Sequence, residues 1–271
     1  YWLLVVPLFC LIIILYAWPV LNILWLGFSD PELGIQNYKL LFTKPSLFKI
    51  LWTTIRVCFI TTLFSVVIGY LIAYAMVHLV GLERNWMLTL VLISFWVSVL
   101  VRAFSWLTLL GRNGLVNAIL VGSGMAEEPI SMIRNEFGVL IGMVHYMVPY
   151  AVLPLFANMQ GIDNRVMDAS RSLGAGPLVT FVRIYLPLTK PGIIASSLLV
   201  FIISLGFYVT PALLGGGRVL MVAEYVSVQI LVTVQWGVAA MLATLLLSGV
   251  LALIYIMSRF MKIGEVFVAR P

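Results

Sequence analysis

The chain opens with a long run that carries no charged side chain, LLVVPLFCLIIILYAWPVLNILWLGF, at residues 3–28. The hydrocarbon core of a lipid bilayer is about 30 Å thick, and a helix of roughly 20 apolar residues crosses it. The run is therefore long enough to span a membrane. It is too long for the apolar core of a signal peptide and lacks a small-residue cleavage site, so we expect a retained helix.

Five more apolar runs follow this first one along the chain. They occupy residues 57–77, 87–110, 137–159, 193–214 and 238–257. Hydrophobic residues make up 63% of the chain, charged residues 10%, and the mean hydropathy is +1.13. A water-soluble fold could not bury so large an apolar fraction. The sequence therefore predicts an all-α membrane protein with six transmembrane helices.

The basic residues are distributed unevenly between the two sides that six spans define. With a cytoplasmic N-terminus, the inside segments hold eight basic and four acidic residues, whereas the outside segments hold six of each. Lys and Arg collect on the cytoplasmic side of membrane proteins. The bias predicts that both termini are cytoplasmic. Anionic lipid at that face accounts for the net charge of +6 without a nucleic-acid partner.

The sequence contains no pattern for catalysis or metal binding. We find no G-x-x-x-x-G-K-[ST], no H-E-x-x-H and no G-x-S-x-G. His78 and His145 are expected to pack between helices or at the membrane interface. Cys10 and Cys58 lie in apolar runs without the spacing of metal ligands. We predict no catalytic residue, metal site or cofactor in this chain, so the energy for transport must come from another polypeptide or an ion gradient.

The segment at residues 160–192, between the fourth and fifth runs, carries helix punctuation of its own. Asp163 or Asn164 can cap a first short helix, because their side chains accept hydrogen bonds from free backbone N–H groups. Gly174 supplies a stop for that helix. We predict two short helices that meet at this glycine on the cytoplasmic side.

The second short helix is expected at residues 178–186, after Pro177 at its first position. Pro187 and Pro191 should end it before the fifth span. Its apolar residues recur at steps of three and four, and they are Leu178, Phe181, Val182, Tyr185 and Leu186. Periodicity alone leaves two interpretations open. The stripe packs under its own bundle, or a partner protein binds it as a helix in a groove.

The same segment carries a spaced pattern of seven residues. They are Asp168, Ala169, Ser170, Gly174, Ile184, Leu186 and Pro187. In its spacing the pattern resembles the EAA motif of permease subunits in binding-protein-dependent ABC importers. Asp replaces the usual Glu and Ser replaces the usual second Ala, and both changes are conservative in size. The resemblance implies that this segment is the coupling helix that contacts an ATPase.

Three further stretches extend the resemblance over roughly residues 50–250. They comprise Trp96, Ser98, Leu100, Val101, Arg102, Ser105, Trp106, Asn113, Gly114, Asn117 and Leu120, then Pro149 and Pro154, then Tyr208, Pro211, Leu214, Gly215 and Gly216. These stretches are similar to the spermidine/putrescine, or polyamine, type of permease more than to the sugar or amino-acid types.

The resemblance implies a MetI-like ABC importer permease fold, a single transmembrane domain over residues 1–271 with its coupling loop at about 160–192. It implies a transporter in the bacterial inner membrane, in contact with lipid, and not an enzyme. The partners would be a second permease subunit, a periplasmic substrate-binding protein and two cytoplasmic ATPase subunits. ATP and Mg²⁺ would be bound by the ATPases.

The expected substrate leaves two chemistries open. The resemblance points to a polyamine, for which Tyr146, Phe207 and Tyr208 offer cation–π contacts and Glu224 a receiving carboxylate. Arg102 would repel such a cation. It would attract the alternative substrate, a small amino acid, zwitterion or carboxylate such as a GABA-like compound.

A different class of protein is also weighed. An ion-coupled secondary transporter normally carries carboxylates within its spans, and none of the six runs contains Asp or Glu.

Residues 221–236 are apolar but too short to span. We expect this segment at the outer surface, or dipping partway into the membrane, as a candidate gate.

Overall fold

A computed structural model of the chain describes residues 2–260, and every regular element in that range is a helix. The α-helices are α1 Trp2–Ile12, α2 Trp18–Ser29, α3 Gln36–Thr43, α4 Pro45–His78, α5 Leu82–Trp96, α6 Val99–Leu110, α7 Leu115–Gly122, α8 Glu136–Gln160, α9 Asn164–Ser172, α10 Pro177–Thr180, α11 Leu186–Leu205, α12 Val222–Leu231 and α13 Trp236–Phe260. Turns of π-helix occupy Ile13–Ala17, Phe181–Tyr185 and Pro211–Gly215. Lys262, Glu265 and Arg270, which entered the charge comparison, lie outside the described residues.

Six helical segments within residues 2–260 are long and apolar enough to cross a membrane. They are Val6–Ser29, Pro45–His78, Val99–Gly122, Glu136–Gln160, Pro177–Leu205 and Trp236–Arg259. The predicted all-α class and the number of spans are confirmed. At 1.5 Å per residue, the shortest of these segments reaches about 36 Å, which exceeds the hydrocarbon thickness.

The third predicted span, residues 87–110, is wrong as a single helix. α5 and α6 are separated at Val97 and Ser98, where the backbone is extended with ψ of 122° and 137°. The buried guanidinium of Arg102 donates hydrogen bonds to the carbonyl oxygens of Ser94 and Val97. Those carbonyls lost their helical N–H partners at the break. A side-chain donor from across the break therefore stabilises an interruption that an apolar sequence does not reveal.

The fifth predicted span and the separate second short helix are both wrong in their bounds. α10, a π turn and α11 form one helical rod over Pro177–Leu205. Within it, the backbone N–H of Leu186 donates to the carbonyl oxygen of Phe181, five residues earlier. In a regular α-helix a proline ring collides with the carbonyl four residues before it. The wider turn lies directly before Pro187, so the helix accommodates this proline instead of ending there.

The same arrangement occurs near the N-terminus. The backbone N–H of Trp18 donates to the carbonyl oxygen of Ile13, and Pro19 follows at the next position. The helix thus continues from α1 through the π turn into α2. Proline in these two segments marks a local widening of a continuous helix, and not a helix end.

The chain divides into two compact units, of which the first joins residues 1–52 to residues 221–271. In this unit the connection between α2 and α3 is fixed to the start of α13. The backbone N–H of Gly237 donates to Asp30 Oδ2 at 2.7 Å, and Asn37 Nδ2 donates to the carbonyl oxygens of Asp30 at 2.7 Å and Gly27 at 3.0 Å. α2 also approaches α13 closely, since a Cβ on Gly27 would lie 3.2 Å from the backbone nitrogen of Met241.

The second unit, residues 53–220, is built around α8. Close approach on both sides of this helix depends on glycine. A Cβ on Gly69 of α4 would lie 2.8 Å from the Cβ of Ala151, and a Cβ on Gly192 of α11 would lie 2.8 Å from the Cβ of Asn158. Buried residues of α4, α8, α9 and α11 form one apolar core, which includes Val66, Ala73, Met147, Ala151, Leu155, Met159, Met167, Tyr185 and Val200.

Helix α8 also separates the two ends of this unit. It has 25 residues and a length of about 37 Å. The loop at residues 123–135 precedes it, whereas α9 follows its other end after a connection of three residues. The loop and α9 therefore lie at opposite ends of the same span.

Candidate functional site: the coupling segment and the aromatic cluster

We name the coupling loop at about residues 160–192 the coupling segment. Its first helix, α9, begins and ends at the residues that the sequence predicts. The Asp163 side chain accepts a hydrogen bond from the Arg165 N–H at 2.9 Å and caps the helix. After the helix, Gly174 adopts φ of +82°, a left-handed conformation that β-carbon-bearing residues rarely adopt. Pro177 begins the next helix. The cap, the stop and the start of the second helix are confirmed.

A polar contact joins the two helices on either side of Gly174. The hydroxyls of Ser170 and Thr180 lie 2.9 Å apart, and both side chains are buried. A buried hydroxyl needs a partner, because an unpaired one loses its hydrogen bonds to water. The departure from the usual motif at position 170 therefore has a structural role, since alanine could not make this contact.

Aromatic side chains connect this segment to α4. The ring of Tyr74 lies 5.4 Å from that of Tyr185 and 5.8 Å from that of Phe181, in both cases edge to face. On the same face of α4, the Tyr70 hydroxyl lies 3.2 Å from Thr189 Oγ1. Such ring pairs add stability beyond the area that they bury. The segment is thus in direct contact with α4, and α4 is in contact with α11.

The predicted apolar stripe divides into two faces. Phe181 and Tyr185 pack inward, together with Ile184 of the motif. Leu178 is 73% exposed, and Val182 is also exposed. Leu173, at the corner before Gly174, is 89% exposed. The inward face confirms packing under the bundle for part of the stripe, whereas binding of the other part by a partner protein stays a prediction. One face packs under the bundle, and the other leaves large apolar side chains open to a partner.

The remaining motif residues show a similar division. Asp168 is exposed and pairs with Arg171 at 3.5 Å, within the same helix, and Ala169 beside it is exposed. Leu186 is half-buried and Pro187 is exposed. The structure thus places the seven motif residues in one continuous segment after α8. Their contact with an ATPase stays a prediction.

Five residues are predicted to act on the substrate along the translocation path, namely Arg102, Tyr146, Phe207, Tyr208 and Glu224. Three of them meet in the second unit. The Arg102 guanidinium lies 4.8 Å from the centre of the Tyr146 ring, and the rings of Tyr146 and Phe207 are 4.6 Å apart. The ring of Tyr150 stacks on Tyr146 at 5.7 Å. We name Arg102, Tyr146, Tyr150 and Phe207 the aromatic cluster. Arg102 is only 7% exposed, and its Nη2 donates to the backbone carbonyls at the break between α5 and α6.

Tyr208 and Glu224 are not members of the aromatic cluster. Tyr208 is 43% exposed and is not stacked on any ring of the described chain. Glu224 belongs to the first unit, in α12, where it is 8% exposed and its Oε2 has no partner among the described residues. Burial raises the pKa of the Glu224 carboxyl, and a backbone hydrogen bond from Met221 lowers it by less. The roles of these two residues stay predictions.

Sequence reasoning missed the residues that hold these features in place. Thr180 and Tyr74 support the coupling segment, and Tyr150 completes the aromatic cluster. The Trp106 indole N–H donates to His145 Nδ1 at 3.1 Å, which joins α6 to α8. Each of these contacts links positions far apart in the chain or depends on a face that periodicity did not assign. Among the described residues, no group of three or more His, Cys, Asp or Glu is placed to hold a metal.

Comparison with known proteins agrees with this geometry. The model of the family described as binding-protein-dependent transport system inner membrane component matches residues 65–262. The chain is 34% identical to the spermidine/putrescine transport system permease protein PotB of Haemophilus influenzae, over 223 residues that cover 82% of this chain and 78% of that protein. It is 32% identical to PotB of Escherichia coli K12, over 82% of this chain and 81% of that protein.

The fold is also found in a solved structure. A chain of a bacterial alginate ABC transporter, determined in complex with an alginate pentasaccharide-bound periplasmic protein, superimposes with a TM-score of 0.76 at 17% identity. The alignment covers 95% of this chain and 93% of that one. The predicted fold and family are confirmed. The chain belongs to the family of binding-protein-dependent transport system inner membrane components, and it is a multi-pass permease subunit of an ABC importer, not an enzyme.

Proposed function

We propose that this permease forms half of a translocation path for polyamines. In this proposal it pairs with a second permease subunit, receives its substrate from a periplasmic binding protein, and is driven by two cytoplasmic ATPases that bind ATP and Mg²⁺. Both termini are cytoplasmic. The single observation that carries the substrate class is the similarity of 32% to 34% identity, over 82% of the chain, to proteins named for spermidine and putrescine transport.

The coupling role is supported by the two faces of the segment after α8. Exposed Leu173, Leu178 and Val182 form an apolar surface outside the spans that a groove on an ATPase can cover. Inward-facing Phe181 and Tyr185 connect that surface to α4 and to the core. Closure of the ATPases would move this short rigid segment, and the contacts would pass the displacement to the spans.

The geometry of Arg102 weakens the argument for the small carboxylate that remains the alternative substrate. An anion-binding arginine presents free donors to its ligand. Here Arg102 is buried and donates to the carbonyl oxygens of Ser94 and Val97, so it is already engaged in hydrogen bonds to the backbone. Its charge is also shared with the Tyr146 ring. The argument for an amino acid or GABA-like substrate is thereby weakened, while exposed Tyr208 offers an aromatic face to a cation.

The direct test is transport by the complete complex in proteoliposomes. Uptake of labelled spermidine or putrescine should require the binding protein and ATP. Labelled GABA and glutamate should not be taken up. Uptake of GABA in place of the polyamines would overturn the substrate class, and uptake driven by an ion gradient without ATP would overturn the mechanism.

The coupling role is tested by Gly174→Val in the same complex. Valine cannot readily adopt φ of +82°, so the turn between α9 and α10 should distort. We expect the subunit to insert and assemble but to lose most of the ATP hydrolysis that the loaded binding protein stimulates. Gly176→Val, two residues on at a φ of −67°, is the matched control and should keep it. Equal stimulated turnover in both variants would contradict the role.

Orientation is tested with single cysteines in a background that lacks Cys10 and Cys58. Ser172→Cys in α9 and Ser123→Cys after α7 lie on exposed positions at opposite ends of α8. In intact spheroplasts a membrane-impermeant maleimide should label Ser123→Cys and spare Ser172→Cys. Inside-out vesicles should give the reverse pattern. Labelling of Ser172→Cys from outside would overturn the proposed topology.

A further inference from the structure

A cavity of about 370 Å³ in the second unit carries a concentration of positive charge. Arg112, Arg134 and Arg218 all line it, with Ser131 and apolar residues between them. No carboxylate lines the cavity. Three like charges around one small space repel one another unless water or an anion compensates them.

The nearby acidic residues do not supply that compensation. Glu136, two residues after Arg134, forms an ion pair with Arg56. Glu127 and Glu128 lie in the loop at residues 123–135, directly before Pro129, but they do not line the cavity. Within residues 2–260, no hydrogen bond or ion pair is formed by the guanidinium of Arg112, Arg134 or Arg218. All three side chains are exposed, so their donors are free to bind a ligand.

The backbone holds one of these arginines in an unusual conformation. Arg134 has φ of +58°, in the left-handed region that such residues rarely occupy. Its backbone N–H donates to the carbonyl oxygen of Leu214 at 2.7 Å. Its side chain lies against Gly216, where a Cβ would be 2.8 Å from Arg134 Cγ. These contacts fix the side chain beside the turn that leads to Arg218. A conformation of this kind persists only where the surrounding contacts maintain it.

The cavity lies at the end of α8 opposite to the coupling segment. Arg134 precedes the helix, α9 follows it, and the helix is about 37 Å long. With α9 in the cytoplasm, the cavity faces the side from which a binding protein arrives. The family is dependent on such a protein. A cationic substrate would be repelled here, whereas the planar donors of arginine match the two oxygens of a carboxylate.

We propose that Arg112, Arg134 and Arg218 form a docking pocket for an acidic side chain on the surface of the extracytoplasmic binding protein. The inference rests on the orientation in the proposed function, and it is independent of the polyamine assignment. The pocket orients the incoming protein over the permease by charge, and it does not contact the transported substrate. The guanidinium groups donate hydrogen bonds to the carboxylate of the binding protein, and no other group in the pocket carries a formal charge.

The test uses the complete complex in nanodiscs of neutral phosphatidylcholine, with ATP hydrolysis measured as the concentration of binding protein is varied. Arg218→Glu and Arg112→Glu should each raise the half-maximal concentration about tenfold, because charge steering of this kind changes association by that order or more. Lys39→Glu, an exposed basic residue outside the pocket, is the matched control and should change it little. The difference should shrink as salt is added, since exposed charges are screened.

Two results would overturn the inference while leaving the proposed function intact. In the first, the pocket variants match Lys39→Glu at every salt concentration. In the second, they differ from wild type only in nanodiscs that contain phosphatidylglycerol, which would assign the pocket to an anionic lipid. If the wild-type complex itself shows no stimulation by a binding protein, the proposed function fails along with the inference. Gly216→Ala, which presses on the Arg134 stem without a change of charge, should weaken docking in the same direction.

Discussion

Two helical regions of the second unit behave in opposite ways. The rod over Pro177–Leu205 contains Pro187 and Pro191 and nevertheless continues without interruption. The run at residues 87–110 contains no proline and breaks at Val97. In the first region a π turn makes room for proline within the same helix. In the second, the guanidinium of Arg102, on the other side of the break, donates to carbonyls that the break exposes. Local breakers thus matter less than the availability of partners for the backbone.

Of the variants that test this comparison, Arg102→Met is expected to lower the free energy of unfolding the most. The variant keeps the bulk of the side chain but leaves the carbonyl oxygens of Ser94 and Val97 without their donor in an apolar setting. Loss of a buried charged hydrogen-bond donor costs about 3 kcal/mol. Thermal unfolding of the purified complex in detergent should show this destabilisation. Arg112→Met, which removes an exposed guanidinium nearby in the chain, is the control and should unfold close to wild type.

The continuous rod should be weakened next by Gly192→Val. The added side chain would meet Asn158 of α8, whose Cβ and Oδ1 both lie 2.8 Å from the position of a new Cβ. Forcing side-chain atoms into a packed helix contact costs about 2 kcal/mol. Unfolding in detergent measures the loss. Gly249→Val, where a Cβ meets nothing within 4 Å, provides the matched control. Equal stability of the two variants would mean that α8 and α11 are not in tight contact.

A smaller loss of stability is expected from Ser170→Ala, at the contact between α9 and α10. Ser170→Ala restores the residue usual in the motif but leaves the buried Thr180 hydroxyl without its partner. The cost of one such hydrogen bond is about 1 kcal/mol. Ser172→Ala changes an exposed hydroxyl in the same helix and should cost less. The contact is absent from the folded protein if Ser170→Ala is no less stable than Ser172→Ala.

The smallest effect is expected from Pro187→Ala. The π turn already relieves the collision of the proline ring, so its removal releases no strain. A new backbone N–H gains a hydrogen bond, while the unfolded chain gains conformational freedom, and these contributions nearly cancel. The change in the free energy of unfolding should stay within about 0.5 kcal/mol. A stabilisation well above that value would show that the π turn does not accommodate the proline.

Much of the candidate site follows from the sequence because its signals are local. A carboxylate cap at Asp163, a left-handed glycine at 174 and a proline at the first helical position each act through backbone groups within a few residues. The spaced motif on this segment was therefore placed correctly on a corner between helices. The aromatic cluster was predicted only in part. The sequence predicts Tyr146 and Phe207 as separate contacts for a cation, whereas their rings are in contact and Tyr146 also faces Arg102.

By itself, the sequence determined the number of membrane spans, the helical class, the family and the turns of the coupling segment. Apolar run length and short-range capping act along the chain, so these features need no knowledge of which helices are neighbours. Only the tertiary structure decided where the helix at residues 87–110 breaks, which face of the coupling segment is free, and which donors Arg102 satisfies. Those outcomes depend on contacts between residues that are distant in sequence or lie on opposite sides of a break. In an apolar setting each backbone carbonyl needs a hydrogen-bond donor, and the fold decides which residue supplies it.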